Sequence, residues 1–133
     1  MTIPAVGNGY QSNDGNLNEV KISVAPVPTT AVDTDTLTAA QITNGIILGS
    51  PTTTASYTLP TVANLELILD NAKAGVTFDF RVINVTGSGI ITMTTNTGWT
   101  LVGLMTITNA AGTVRAFRAR KTGDAAWALY AIS

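Results

Sequence analysis

The sequence predicts an all-β fold, an antiparallel β-sandwich of jelly-roll type with one short helix and an extended N-terminal arm. Short segments alternate apolar and polar residues, which is the period of strands with one buried face. Turn residues, mainly Gly, Pro and Asn, separate these segments at regular intervals. Threonine provides 23 of the 133 residues, and its β-branched side chain suits a pleated surface. A closed barrel is the second choice, because the same signals are typical of both architectures.

The first 18 residues differ in composition from the rest of the chain. They mix Gly, Asn and Ser with isolated apolar residues and show no period. We therefore divide the chain into an extended N-terminal arm, residues 1–18, and a β-sandwich domain, residues 19–133. We interpret the arm as a partner-binding segment that lies along a neighbouring protein, with a proline that keeps it extended. Its candidate contact residues are Ile3, Pro4, Val6, Tyr10 and Leu17.

The first part of the domain contains short elements separated by turns. An alternation of apolar and polar residues predicts a strand over 19–25. The stretch 29–36, rich in Thr and Asp, predicts a loop. Thr38 is placed to cap a brief helical turn. Two further short strands are expected at 46–48 and 57–59.

Residues 61–73 carry the helix signal. Thr61 is placed as the N-cap and Gly75 lies just past the end. We expect this helix to lie on a sheet or to close one end of it. Its predicted apolar face consists of Val62, Leu65, Ile68, Leu69 and Ala72.

The second part of the domain contains longer strand signals. The clearest covers 76–85, and Gly87 to Gly89 after it predicts a hairpin turn. Residues 109–112 predict a second hairpin turn, and 122–124 a third. No segment of 20 to 50 residues is repeated, so we do not expect a solenoid. The remaining strands are expected at 91–96, 99–101, 105–107, 113–121 and 127–132.

The composition excludes several kinds of function. The chain has no Cys and no His, so it offers no thiolate or imidazole for a metal, a cofactor or a nucleophilic dyad. Seven basic residues against eight acidic ones do not favour a nucleic-acid partner. The chain has no uncharged apolar run of membrane-spanning length and begins without a signal-peptide pattern. We therefore expect a protein without enzymatic activity or cofactor, made in a cytoplasm, with no membrane or nucleic acid as partner.

Four carboxylates are candidate functional groups. Asp33 and Asp35 could supply oxygen ligands to Ca²⁺, but the remaining ligands and the glycine of a known calcium loop are missing. We favour a solvated loop. Asp79 and Asp124 could form the acid pair of a glycosidase. Because Asp79 lies on the polar face of a predicted strand and nothing marks a cleft, we interpret this pair as structural.

Aromatic and basic residues near the C-terminus offer two more candidate surfaces. Trp99, Trp127 and Tyr130 could form a sugar-binding platform, but packing in the core or at a subunit interface is favoured. The strand at 113–121 holds four of the seven basic residues, Arg115, Arg118, Arg120 and Lys121. A solvated rim and a patch for an acidic partner surface explain this cluster equally well. Its candidate partner-binding residues are Arg115, Arg118 and Arg120.

Several stretches of residues 36–133 resemble one family of small β-proteins. They are TLTAAQITNGIILGSP, YTLPTVANLELIL, FDFRVINVTGSG, TLVG and RKTGDAAWALYAIS. The chain is similar in these stretches to the decoration (cement) proteins and virion fibre knob domains of tailed bacteriophages. The arm is not part of the resemblance.

The resemblance implies a structural protein of the virion. It implies a homotrimeric β-sandwich on the capsid surface that binds the major capsid protein lattice and strengthens the head. The alternative that it implies is a fibre or tail knob that recognises a host receptor or glycan. Many weak contacts on a symmetric lattice add up, which suits a small domain with few charges.

Removing the arm tests its separation from the domain. Deleting residues 2–17 is expected to change the free energy of unfolding by less than about 0.5 kcal/mol, because no predicted core strand begins before Glu19. The same deletion should lower the occupancy of the protein on particles. Urea denaturation and particle co-sedimentation measure the two effects. A truncated chain that fails to fold, or that binds particles as well as the full chain, would contradict this interpretation of the arm.

Overall fold

The computed structural model describes residues 24–133. This part of the chain contains ten strands and two short helices. The strands are β1 (Thr29–Ala31), β2 (Asp35–Thr36), β3 (Ile46–Gly49), β4 (Ala55–Thr58), β5 (Thr77–Asn84), β6 (Ile91–Thr94), β7 (Trp99–Val102), β8 (Thr106–Ile107), β9 (Thr113–Gly123) and β10 (Ala126–Ala131). The helices are α1 (Ala39–Asn44), between β2 and β3, and α2 (Val62–Ile68), between β4 and β5.

The strands form two sheets around one core. The six-stranded sheet has the order β1-β3-β5-β9-β10-β7, and the four-stranded sheet has the order β2-β4-β6-β8. The first six strands alternate between the sheets. The chain therefore winds through three successive coils, and each coil adds one strand to each of the two sheets. As a result β1, β3 and β5 run parallel, and so do β2, β4 and β6. The all-β class with two sheets is confirmed.

The predicted antiparallel pairing is wrong for most of the strand pairs. Only β5 with β9, β9 with β10 and β6 with β8 are antiparallel. The jelly-roll topology is not confirmed. The cause lies in the signal, because alternation reports that one face of a strand is buried but not the direction of its neighbour.

Of the three predicted hairpin turns, one is confirmed and two are wrong. The hairpin of β9 and β10 is confirmed, with Trp127 opposite Lys121 and Leu129 opposite Ala119. The connections at Gly87 to Gly89 and at 109–112 are not hairpins, since each joins strands of different sheets. Both are tight turns, but they carry the chain across the core.

Two helices are present where one was predicted. The brief turn predicted after Thr38 is the helix α1, which begins with a capping box. The backbone N–H of Gln41 donates to Thr38 Oγ1, and the backbone N–H of Thr38 donates to Gln41 Oε1. Thr61 caps α2 as predicted, but the helix ends at Ile68 and not at residue 73. After it, Leu69 and Ala72 pack against the core through a turn, which fills the remaining space without further helical residues.

The N-terminal predictions have different outcomes. The arm at 1–18 and residues 19–23 of the strand expected at 19–25 lie outside the described residues. Val24 and Ala25 belong to no strand, and the loop expected at 29–36 contains β1 and β2. These strands are short and lie at sheet edges, where polar side chains face solvent. The alternation of apolar and polar residues that would predict a strand is therefore weak in them.

The core joins the inner faces of both sheets. Its largest fully buried side chains are Trp127, Tyr57, Phe80 and Phe117. The Tyr57 hydroxyl donates to the carbonyl oxygens of Ala31 and Val32, at 3.1 and 2.8 Å, so the four-stranded sheet is tied to the edge of the other sheet. Burial raises the pKa of Tyr57 to about 12 and keeps this hydroxyl a donor.

One buried amide organises the crossings between the sheets. Asn84 is fully buried at the end of β5. Its Nδ2 donates to the carbonyl oxygens of Gly89 and Thr108, at 2.8 and 2.9 Å. Its Oδ1 accepts from the backbone N–H of Gly87 at 2.9 Å, and its own carbonyl oxygen accepts from Gly112 N–H at 2.8 Å. The turn before β6 and the turn before β9 are therefore held to the same residue.

Replacing this amide tests its importance. Asn84→Ala is expected to lower the free energy of unfolding by about 3 kcal/mol, because one buried and two partly buried backbone hydrogen bonds to the side chain are lost. Asn109→Ala, an exposed position in the second of these turns, is the matched control and should change little. Urea denaturation followed by circular dichroism measures both. Equal stability of the two variants would contradict the organising role of Asn84.

Candidate interaction face

The outer side of the six-stranded sheet carries arginines among aliphatic and aromatic side chains. Along β5, β9 and β10, alternate residues point away from the core. We define the arginine face as the outward residues Ile46, Asp79, Arg81, Val102, Val114, Arg118, Arg120, Tyr130 and Ile132.

Strand register places these residues in rows that cross the sheet. One row runs from Asp79 through Arg118 and Tyr130 to Val102. In the next, Ile46 and Arg81 are neighbours, followed by the small Ala116. Three arginines and one aspartate give the face a net charge of +2, whereas the whole chain has a net charge of -1.

The arginines differ in their contacts. Arg118 binds Asp79 through two hydrogen bonds, Nε to Oδ1 at 2.8 Å and Nη2 to Oδ2 at 3.0 Å. This fork fixes the guanidinium plane. Arg81 and Arg120 make no side-chain hydrogen bond or ion pair with any residue between 24 and 133. Two guanidinium groups thus remain available to an external acidic group.

The aliphatic members of the face are substantially exposed. Val102, Val114 and Ile132 are each between 45 and 48% exposed. Val102 lies opposite the half-buried Tyr130, which in turn lies opposite Arg118. Arginine and tyrosine are enriched and lysine is depleted at protein–protein interfaces, and no lysine lies among the residues that define this face. In these respects the composition resembles that of protein–protein interfaces.

The structure separates the arginines that the sequence grouped together. Arg118 and Arg120 share the arginine face, but Arg115 has the opposite parity and points inward. Its Nε donates to the carbonyl oxygen of Thr106 at 2.7 Å, and its Nη1 donates to that of Ser133. Arg115 therefore links β9 to β8 and to the C-terminal residue. Arg81 was missed, since it joins the face only through the register of β5 with β9.

The other candidate residues occupy structural positions. Trp99 and Trp127 pack in the core as favoured, so they form no exposed platform with Tyr130. Lys121 is buried against Glu66 and Trp127. The candidate arm residues Ile3, Pro4, Val6, Tyr10 and Leu17 lie outside the described residues.

Asp33 and Asp35, the two carboxylates considered as calcium ligands, accept hydrogen bonds from backbone and hydroxyl groups. Asp33 Oδ1 accepts from Thr52 N–H at 2.9 Å and from the Thr52 hydroxyl at 2.8 Å. Asp35 Oδ1 accepts from Thr36 N–H at 2.8 Å. From Val24 to Ser133, no cluster of three or more acidic residues is placed to hold a metal ion.

Comparisons with protein-family models, curated proteins and solved structures find no match for this chain. Neither helix of the described part is long and apolar enough to cross a membrane.

The Asp79–Arg118 pair makes the arginine face sensitive to acid. Hydrogen bonds from Arg118 hold the pKa of Asp79 below its ordinary value. A carboxyl whose folded-state pKa is lowered stabilises the fold above its ordinary pKa, and the contribution is lost as the pH falls through the lowered value. We expect Arg118→Ala to move the pKa of Asp79 upward in an NMR titration. The pKa of Asp33, lowered by Thr52, is the internal control and should stay unchanged. An Asp79 pKa that does not move would show that the pair does not form in solution.

Proposed function

We propose that the protein is a structural virion protein of a tailed bacteriophage, a decoration (cement) protein that binds the major capsid protein lattice as a homotrimer. The resemblance of residues 36–133 to that family supports the proposal. The observation that carries it is the arginine face, a broad sheet surface with exposed aliphatic side chains, an aromatic ring and two guanidinium groups that form no hydrogen bond or ion pair with residues 24–133.

The chemistry of the face suits an acidic protein surface. Guanidinium groups bind carboxylates in a bidentate fork and stack on planar groups, and they lose less solvation energy on burial than ammonium groups do. The aliphatic residues between them supply apolar area, so docking does not depend on charge alone. Modest affinity per copy is sufficient, because a closed lattice multiplies each contact.

The same charges oppose pairing of two copies through this face. Two arginine faces in contact would bring two surfaces of net charge +2 together, which costs free energy. The trimer contacts of the proposal therefore use other surfaces. One such surface is on α2, where Leu67 and Ile68 are 78 and 50% exposed.

Binding to assembled heads tests the proposal. Recombinant full-length protein is added to heads of the encoding phage that lack it, and copies are counted by electron cryomicroscopy. We expect saturable binding in clusters of three on the head. Arg120→Glu should weaken binding about tenfold, as loss of one charged contact at a docking surface. Lys73→Glu, the same charge reversal on an exposed residue outside the face, is the control.

Each other outcome overturns part of the proposal. No binding to heads contradicts the decoration function. A few copies at the tail would support the fibre or tail knob instead. Arg120→Glu binding as tightly as Lys73→Glu would remove the arginine face from the interface, and a monomer on the particle would contradict the homotrimer.

A further inference from the structure

The parallel strands of the four-stranded sheet bring three chain exits to one end of the molecule. The chain leaves β2 into α1, leaves β4 into α2 and leaves β6 into the turn before β7. Because β2, β4 and β6 run in the same direction, these exits are neighbours. Each contributes hydroxyl or amide side chains, among them Thr38, Thr61 and Asn96.

A first cavity at this end lies between the exits. It has a volume of about 340 Å³ and is lined by neutral side chains. Its polar groups are the side chains of Thr36, Thr38, Thr61, Asn64 and Asn96. Leu37 and Pro60, both buried, contribute apolar surface beside them.

The orientation of three of these polar groups is fixed by their own hydrogen bonds. The hydroxyl oxygens of Thr38 and Thr61 accept from backbone N–H groups, so each hydroxyl proton can be donated outward. Asn96 is anchored, since its Nδ2 donates to Leu59 O at 2.9 Å and its Oδ1 accepts from Thr97 N–H at 2.8 Å. The side chain of Asn64 makes no hydrogen bond with the described residues and can serve as both donor and acceptor.

The second cavity continues the first across Thr61, which lines both. It has a volume of about 370 Å³, and its walls are mainly apolar, with Val62, Ala63 and Gly98 among them. A Cβ atom at Gly98 would lie 2.6 Å from Val62 Cγ2. Only glycine leaves this wall intact.

Glu66 gives the second cavity a hydrogen-bond acceptor whose negative charge is balanced by Lys121. Its Oε2 accepts from Lys121 Nζ and from Trp127 Nε1, the latter at 3.1 Å. These bonds lower the pKa of Glu66 and leave Oε1 without a partner among residues 24–133. Since Lys121 balances the carboxylate, the cavity offers a hydrogen-bond acceptor and not an attraction for cations.

We propose that the two cavities form one groove that binds a neutral saccharide chain, with one sugar unit in each cavity and the linkage over Thr61. Neutral hydroxyl and amide groups beside apolar surface match the alternating hydroxyls and C–H faces of a sugar ring. An anion would find no uncommitted cationic side chain in the lining. A metal ion would find one carboxylate, already paired. This activity goes beyond capsid binding and is independent of it.

Titration of the full-length, ¹⁵N-labelled protein with neutral trisaccharides tests the groove. The probes are maltotriose, cellotriose, mannotriose and chitotriose at millimolar concentrations. We expect saturable shifts of the backbone amides of Thr61, Asn64 and Thr97 with at least one of them. Asn64→Leu should raise the dissociation constant about tenfold, because it removes hydrogen bonds to the ligand.

Controls separate the groove from the rest of the molecule. Asn71→Leu, the same substitution at an exposed position beyond α2, should bind the sugar like the original protein. Arg81→Glu, which alters the arginine face, should also leave saccharide binding unchanged. Absence of saturable shifts with every trisaccharide, shifts confined to other residues, or equal binding by Asn64→Leu would each overturn the proposal. None of these results bears on binding to heads.

Discussion

The buried amide of Asn84 satisfies backbone groups that no sheet can satisfy, because they belong to the turns where the chain passes between the sheets. A crossing turn leaves N–H and C=O groups inside the protein, and such groups are costly without partners. Asn84 bonds both the turn before β6 and the turn before β9. Asn84 thereby holds the turns that lead into β6 and β9 against the end of β5, and the pairing of β5 with β9 builds the arginine face.

The elements with strong alternation could be predicted from the sequence. Phe80 and Val82 in β5, and Phe117, Trp127 and Leu129 in the terminal hairpin, are buried as their spacing indicates. The direction of pairing could not be predicted. Whether a turn such as Gly87 to Gly89 reverses the chain within a sheet or carries it to the other sheet depends on what lies beneath it, and here that is Asn84. The coils share no repeated sequence, so the winding had no signature.

The candidate surfaces could be predicted only in part, because they too depend on how the strands pair. The parity of Arg118 and Arg120 along one strand assigns them to one side of a sheet and Arg115 to the other. The addition of Arg81 requires the pairing of β5 with β9. The groove requires even more, since Thr38, Thr61 and Asn96 meet only if their strands are parallel. The pattern along one strand predicts which of its residues share a face. Pairing between distant strands determines which of these residues become neighbours on one surface.

The coiled winding of β1 to β6 separates the width of the two sheets from the arginines of the arginine face. Each coil adds one strand to each sheet, and stacked units of this kind interact mainly with their nearest neighbours. A lineage can therefore gain or lose a coil at the β1 end while the hairpin of β9 and β10 stays unchanged. The groove would change with the first coil, because Thr36, Leu37 and Thr38 belong to it, whereas the arginines of β5 and β9 would keep their places.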